Sequence, residues 1–541
     1  MRVLVRCQGR RRASAVAAAL ADGGATRKRS AVVVGGGWAG FGAASNLSKA
    51  GWKVSVLDAS PDPGGVAGGK SGNIELGIKG CWYHYRNIEK VLEEIGLPLQ
   101  QAYGDFAETA FYSERGLEVV SPVFSQCTPR LPAPLGPLAY TSDRFTDLPL
   151  GDRLTALPLL QALIEFDLDE GTYAAYDSIS FEKLCRKANI SQRLYDQFLK
   201  PILLALLFVP PKELSAAAAL SVLSNYVLQH QSDFDVRWPK IPPSEIFLAW
   251  KRSLEETYGT TFRNSTPVKR VLHDETSKSV LGVETSSGET IEAEVVILAT
   301  GAFALPKIVA ASNLDSCRGL SRVHELTCSA VTAVRFAMDW GDGPARPLQY
   351  SSNVFSGKDD TAGTFYDIGA LRGEEAGRIF EVDTYNAKSL LELDEEELEA
   401  AAKHVLSLSD PTFIDARIMK ETLQVVKAKH AAFRWTPGTH SATPAIKPAE
   451  APKGLLIAGD LVKNGPEEFS AHLGARGLSQ EKSLVTGLQA AILAIQEFED
   501  RSGRMNIPAP VAVEPDELHI QGLKESLRFA RSSGLVPLLA Q

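Results

Sequence analysis

The stretch that decides the fold is Val32-Val33-Val34-Gly35-Gly36-Gly37-Trp38-Ala39-Gly40, near the start of the chain. Residues 31–34 are apolar, three of them β-branched valines, which predicts a short buried strand. The turn Gly35-x-Gly37-x-x-Gly40 follows at once. Residues 38–50 then space Ala39, Ala43, Ala44 and Leu47 along one face, which predicts a helix. Gly35 permits the tight turn, Gly37 lets a pyrophosphate approach the backbone, and Gly40 lets helix and strand close up. Free N–H groups and about half a positive charge at the helix start favour an anion there. A second strand, Val54-Ser55-Val56-Leu57, ends in Asp58, placed to accept from an adenosine ribose and to disfavour a 2′-phosphate. The alternative is a glycine-rich turn with no ligand.

A matching element lies far away. Gly454-Leu455-Leu456-Ile457-Ala458-Gly459-Asp460 reads as a strand ending in a Gly-Asp pair. Two halves of one dinucleotide site, more than four hundred residues apart, point to FAD and so to redox chemistry. The fold class expected is α/β: a doubly wound, Rossmann-like FAD-binding domain carrying an inserted α+β substrate domain.

Length and charge bound the rest. At 541 residues the chain exceeds one ordinary core. Its net charge is −8, yet residues 1–30 hold eight bases (Arg2, Arg6, Arg10, Arg11, Arg12, Arg27, Lys28, Arg29) against one acid, Asp22. The acidity is therefore in the body, which argues against nucleic acid as a partner. The Arg- and Ala-rich leader reads as an organelle transit peptide of chloroplast or mitochondrion, or as a basic arm that is retained. Six cysteines (7, 81, 127, 185, 317, 328) show no CxxC, which fits neither a disulfide scaffold nor structural zinc. Nine histidines lack metal-ligand spacing, so no metal site is expected. The apolar run at residues 201–211 is half the length of a membrane span.

After Asp58 come Gly64-Gly65, then Glu75-Leu76-Gly77-Ile78-Lys79-Gly80-Cys81-Trp82-Tyr83-His84-Tyr85-Arg86-Asn87 running into a helix. With Tyr176–Leu184, Phe198–Pro201, Pro211–Ala216 and the closing block at 454–494, the chain resembles the FAD-containing amine oxidase and phytoene desaturase superfamily. It is most similar to the plant-type carotenoid desaturases. The resemblance covers about residues 31–495. It implies that Gly35, Gly36, Gly37, Ala39, Gly40, Asp58, Gly64 and Gly65 bind FAD. It implies further that Val268 lies on the adenine, that Gly459 and Asp460 hold the ribityl chain, and that Gly477–Glu481 starts a helix aimed at the flavin ring.

The resemblance implies hydride removal to flavin N5 from a hydrophobic substrate, by carotenoid-type desaturation or isomerisation, with a quinone or O2 as electron acceptor. A non-covalent amine oxidase is the second reading; no cysteine follows Cys328, which excludes a cysteinyl flavin link near the closing motif. A binding or assembly factor without catalysis is the third. Departures motivate it: Asp62 and Val66 stand where arginines are common, Lys79 where a histidine is usual, and Cys81 where an aromatic is usual. Lys307, after the strand ending in Ala299, matches the place of a flavin-facing lysine in amine oxidases; the alternative is an exposed lysine ahead of a helix. Lone histidines such as His84 and His472 read as structural.

The expected organisation is a transit peptide at 1–30, an FAD-binding domain from 31–105, 245–320 and 450–500, a substrate domain from 106–244 and 321–449, and a C-terminal linker with a short helix at 501–541. Residues 262–300 read as a β-meander whose last strand runs from 291 to 300. The apolar segment 200–230 reads either as helical core or as the wall of a hydrocarbon tunnel or membrane-facing mouth, with Trp82, Tyr83 and Tyr85 as aromatic walls. The acid-rich stretch 391–400 reads as a solvated helix start. The helix after 515 is expected to dock on the body, with a partner or a membrane surface as alternatives.

Overall fold

A computed structural model describes residues 28–69, 74–463, 465, 479–499, 507–533 and 537–540. The expected transit segment up to residue 27, His472, and Gly477 and Leu478 of the closing motif lie outside the described residues.

Five parallel strands form the sheet that organises the cofactor side. Their order is Leu455–Ile457, Val295–Leu298, Ser30–Val34, Lys53–Leu57, Thr261–Arg263. The pairing alternates between chain regions hundreds of residues apart: Ala31 faces Val295, and Leu298 faces Ile457. The inner strands are covered on both faces, so they read as continuous apolar runs. Val295, Val296, Ile297 and Leu298 are all fully buried.

This corrects the expected meander. Residues 291–300 do not form its last strand. Thr290–Glu292 closes the antiparallel meander against Ser279–Thr285, and Val295–Leu298 then enters the parallel sheet. Glu294 marks the break, where its N–H donates to Ser30 O at 3.1 Å and its carboxylate accepts from Ser30 N at 3.1 Å.

Two helices cross over the first strand. Trp38–Lys49 follows the glycine turn, and Gln480–Phe498 follows the closing motif. They touch backbone to backbone, because a Cβ on Gly487 would stand 2.0 Å from Ala39 O. Trp38 Nε1 donates to Gln480 Oε1 at 2.8 Å, and Asn46 Nδ2 to Leu488 O at 3.3 Å. The outer face of the first helix, Trp38 and Phe41, stacks on Phe247 and Trp250 of the Pro243–Tyr258 helix.

The second half of the fold is an eight-stranded mixed sheet capped by helices between residues 135 and 228. Its centre is Cys328–Asp339, Ile379–Tyr385, Ala362–Asp367 and Ser352–Ser356. The division expected at residues 105 and 245 crosses a small sheet. Val236–Pro239, from the expected substrate domain, pairs with Cys81–Trp82 and Tyr103–Ala107. The 395–407 helix carries a capping box between Asp394 and Glu397, which accounts for its acid-rich start. The Leu518–Ser532 helix docks on the body: Arg531 pairs with buried Glu165 at 2.8 Å, Lys524 with Asp167 at 3.3 Å, and Ile520 is buried.

Close approach of the two crossing helices leaves no room for a methyl group. Gly487→Ala is expected to cost about 2–3 kcal/mol of stability, read as a lowered melting temperature by circular dichroism.

Candidate functional site

One cavity of about 840 Å³ runs from the glycine turn to the floor of the substrate sheet. At its first end, Gly35, Gly36, Gly37 and Ala39 line it together with Gly64 and Gly65. The two glycine turns face each other with no side chain between them: a Cβ on Gly65 would lie 3.4 Å from Gly37 Cα. Gly64 and Gly65 have φ of +109° and +57°, a region that favours glycine. Gly40 is not in the wall. Its absent side chain lets the helix close on the turn, since a Cβ there would stand 1.8 Å from Gly35 O.

The Trp38–Lys49 helix begins at Gly37 with no capping side chain and no acid in its first turn. Its leading N–H groups are thus open to an anion. Asp58, at the tip of the second strand, accepts from Gly36 N–H and from Ser60 N–H at 2.6 Å. Burial pushes its carboxyl up, and those two N–H groups pull it back. Val268 lines the cavity beside it.

Gly459 and Asp460 reach the same cavity from the end of the Leu455–Ile457 strand. Gly459 N–H donates to Thr486 Oγ1 at 2.9 Å. Lys482 is fully buried, donates to Asp460 O at 2.6 Å and to Val462 O, and lies 4.9 Å from the Trp435 ring centroid. Burial raises the Asp460 carboxyl, and the Lys482 charge lowers it. A glycine cradle, an open helix N-terminus and two acids on one cavity fit a dinucleotide.

The flavin containing amine oxidoreductase family model matches residues 38–339, more than half of the chain. The chain belongs to that family. It is an FAD-dependent oxidoreductase of amine oxidase and phytoene desaturase type, which sets aside the non-catalytic alternative. This oxidoreductase is 24% identical over 498 residues to the 15-cis-phytoene desaturase, chloroplastic/chromoplastic, of Solanum lycopersicum, covering 86% of this chain and 78% of that one. It is 25% identical over 272 residues to the probable zeta-carotene desaturase of Synechococcus elongatus, covering 47% of this chain and 54% of that relative, so it spans about half the relative's length. Among solved structures it is similar to cyclohexylamine oxidase from Brevibacterium oxydans, with TM-score 0.60, 16% identity, and 87% and 100% of the two chains covered. Putrescine oxidase bound to putrescine matches with TM-score 0.60, 15% identity and the same coverage. These structural likenesses show the fold, an α/β Rossmann-like one.

The other end of the cavity is apolar on one side. Ile202, Leu206, Phe208 and Val222 face it, so the 200–230 segment supplies both core and wall. Trp82 and Tyr85 line it, but Tyr83 does not: it sits against Phe106 at 5.8 Å and under Arg86 at 5.0 Å. His84 is buried against Asn225 at 2.9 Å, and burial lowers it to about 4. Lys307 is exposed at the rim, 3.4 Å from the Phe303 ring centroid, and Phe303 stacks on His430 at 4.1 Å.

The sequence singles out Lys79 but not the rest of the floor. Thr364, Tyr366 and Tyr385 face the cavity together with Lys79. Behind them lie Glu75, Glu381, Asp383, Arg335 and Arg372. Arg335 binds Glu381, and Arg372 reaches Glu75 at 3.3 Å. The signal was a period-2 set of polar residues, Glu381, Asp383 and Tyr385, in a strand with every later residue buried.

Burial, then repulsion from Glu381, pushes Glu75 from 4.5 to about 7. A carboxyl raised on folding holds its proton longer in the folded state. Its contribution is therefore lost as pH rises from about 4.5 to about 7. Glu75→Gln is expected to show a shallower fall in melting temperature across that window than the wild type.

Proposed function

We propose that this FAD-dependent oxidoreductase dehydrogenates an apolar, polyene-like substrate. The observation that carries the reading is the cavity itself, which joins the glycine cradle to a wall of Ile202, Leu206, Phe208, Val222 and Trp82. The 86% coverage by the Solanum lycopersicum desaturase supports it. FAD, when bound, supplies the two-electron acceptor. In this reading Gly35–Gly37 and the helix that follows hold its pyrophosphate, Asp58 its adenosine ribose, Val268 its adenine, Gly64 and Gly65 the facing backbone, and Gly459 and Asp460 its ribityl chain. The aliphatic wall excludes water and holds the substrate. Lys307 stands at the mouth in contact with Phe303, where it is the candidate lysine for tuning the reaction. A quinone or O2 serves as the final acceptor.

Five leucines, Leu135, Leu138, Leu150, Leu154 and Leu157, are each at least half exposed on the helices of residues 135–165. They support a peripheral membrane contact through which an apolar substrate enters. No described helix is long and apolar enough to cross a membrane. The basic leader and the chloroplastic relative support a plastid location.

Asp58→Ala removes the acceptor at the end of the second strand. The variant is expected to be purified with less FAD per chain and to rebind FAD about tenfold more weakly, measured by flavin fluorescence.

Anaerobic addition of carotenes to the purified flavoprotein is expected to bleach it, and aliphatic amines are expected to leave it oxidised. Bleaching by amines alone overturns the reading. In the same assay an unchanged bleaching rate in Lys307→Met removes Lys307 from the chemistry.

A further inference from the structure

The cavity floor is polar in one place, and that place is built around Gly77. Lys79 Nζ donates to Leu76 O at 2.8 Å and to Gly77 O at 2.7 Å. These use two of its three N–H donors, and no third partner is found among the described residues. Tyr385 closes on the same glycine, since a Cβ on Gly77 would stand 3.4 Å from its hydroxyl. That hydroxyl hydrogen-bonds Thr364 Oγ1 at 2.7 Å. An ammonium and a phenol thus share one corner of a largely apolar chamber.

The charges beneath this corner decide what it attracts. Three acids (Glu75, Glu381, Asp383) and three bases (Lys79, Arg335, Arg372) are packed together. Asp383 accepts from Ile78 N–H at 3.1 Å, Arg372 reaches Glu75 at 3.3 Å, and Arg335 binds Glu381. Burial raises all three carboxyls, Glu75 to about 7. Burial likewise pulls the Lys79 ammonium down, and the three acids oppose that pull. Of the three bases, Lys79 is the one in the cavity wall.

A purely hydrocarbon substrate still fills the apolar wall, but its end leaves this donor unpaired and gains no affinity there. An ammonium would meet a like charge in a poorly solvated place. A carboxylate pairs the free N–H in a charge-assisted hydrogen bond. We infer that Lys79, with the Tyr385 hydroxyl beside it, selects substrates whose apolar body ends in a carboxylate. Lys79 is then a specificity-determining residue, and the aliphatic wall takes the rest of the molecule. The inference rests on the reading of this chamber as the substrate's.

The test uses the FAD-loaded protein and three probes with one chain: dodecanoate, methyl dodecanoate and dodecylamine, each below its micelle threshold. Binding is followed by calorimetry and by the shift of the flavin absorption band. Dodecanoate is expected to bind at least about tenfold more tightly than the ester, with the amine weakest. Lys79→Met is expected to bring acid and ester to equal affinity, while the ester's own affinity holds. If acid and ester bind wild type equally, the head-group inference falls and the apolar chamber stands. If none of the three binds, both fall. An undiminished preference for the acid in K79M also overturns it. The wild-type ratio decides by itself where K79M yields no folded protein.

Discussion

The structure depends on one close contact, that of the Trp38–Lys49 helix with the Gln480–Phe498 helix. Ala39 O would lie only 2.0 Å from a Cβ on Gly487, and Leu484 Cδ1 and O would each lie 2.9 Å from a Cβ on Gly42. Glycine on both sides lets the backbones meet. The meeting fixes the last parallel strand, Leu455–Ile457, two places from the first, Ser30–Val34. The loops at the ends of those strands are thereby held at one cavity. Without that contact, Gly37 and Asp460 would be ends of unrelated segments. Chain order puts the whole substrate side between them, so the contact also closes the fold.

The cavity that results has two kinds of wall, for different reasons. On the cofactor side the lining is largely backbone, because glycines at 35–37 and 64–65 remove side chains from the space. Backbone N–H groups are fixed dipoles and need no reorganisation to meet an anion. On the substrate side the lining is side chain. Aliphatic groups from the 200–223 helices face polar groups from the sheet. The polar groups are tolerable there because the strand register pairs them. Arg335 lies directly across from Glu381, and Thr364 across from Asp383. Breaking one member of such a buried set leaves an uncompensated charge, which costs more than the set contributes when complete.

Much of the cofactor side was legible in the sequence because its determinants are local. The run Ala31–Val34, the three glycines and Asp58 lie within one strand–helix–strand unit, and their spacing carries the geometry. The Gly459-Asp460 pair was legible as a second such end. The meander was misread at its last strand because Val295–Leu298 has the composition of any buried strand. What assigns it to the parallel sheet is its pairing with residues 31–34 and 455–457, which is not a local property. Tyr83 was misread for a related reason. The strand ends at Trp82, and Tyr83 begins a turn that carries it onto Phe106 and Arg86 instead. The floor was hidden most deeply. Tyr366 and Tyr385 are brought together by the register of two strands, and Lys79 by the bond from Ile78 N–H to Asp383.

The two lysines on the cavity illustrate how position decides chemistry. Lys307 is in water at the rim, its charge spread against the face of Phe303. Such a contact contributes about 0.5–1 kcal/mol at an exposed site and leaves the ammonium free to move. Lys79 is held by two carbonyls of its own turn, and burial pulls its ammonium down from the usual range while Glu75, Asp383 and Glu381 oppose that pull. An ion so placed is stiff and poorly hydrated, and its field is little screened. Small differences in the charge of what enters the chamber are therefore felt strongly at Lys79 and weakly at Lys307.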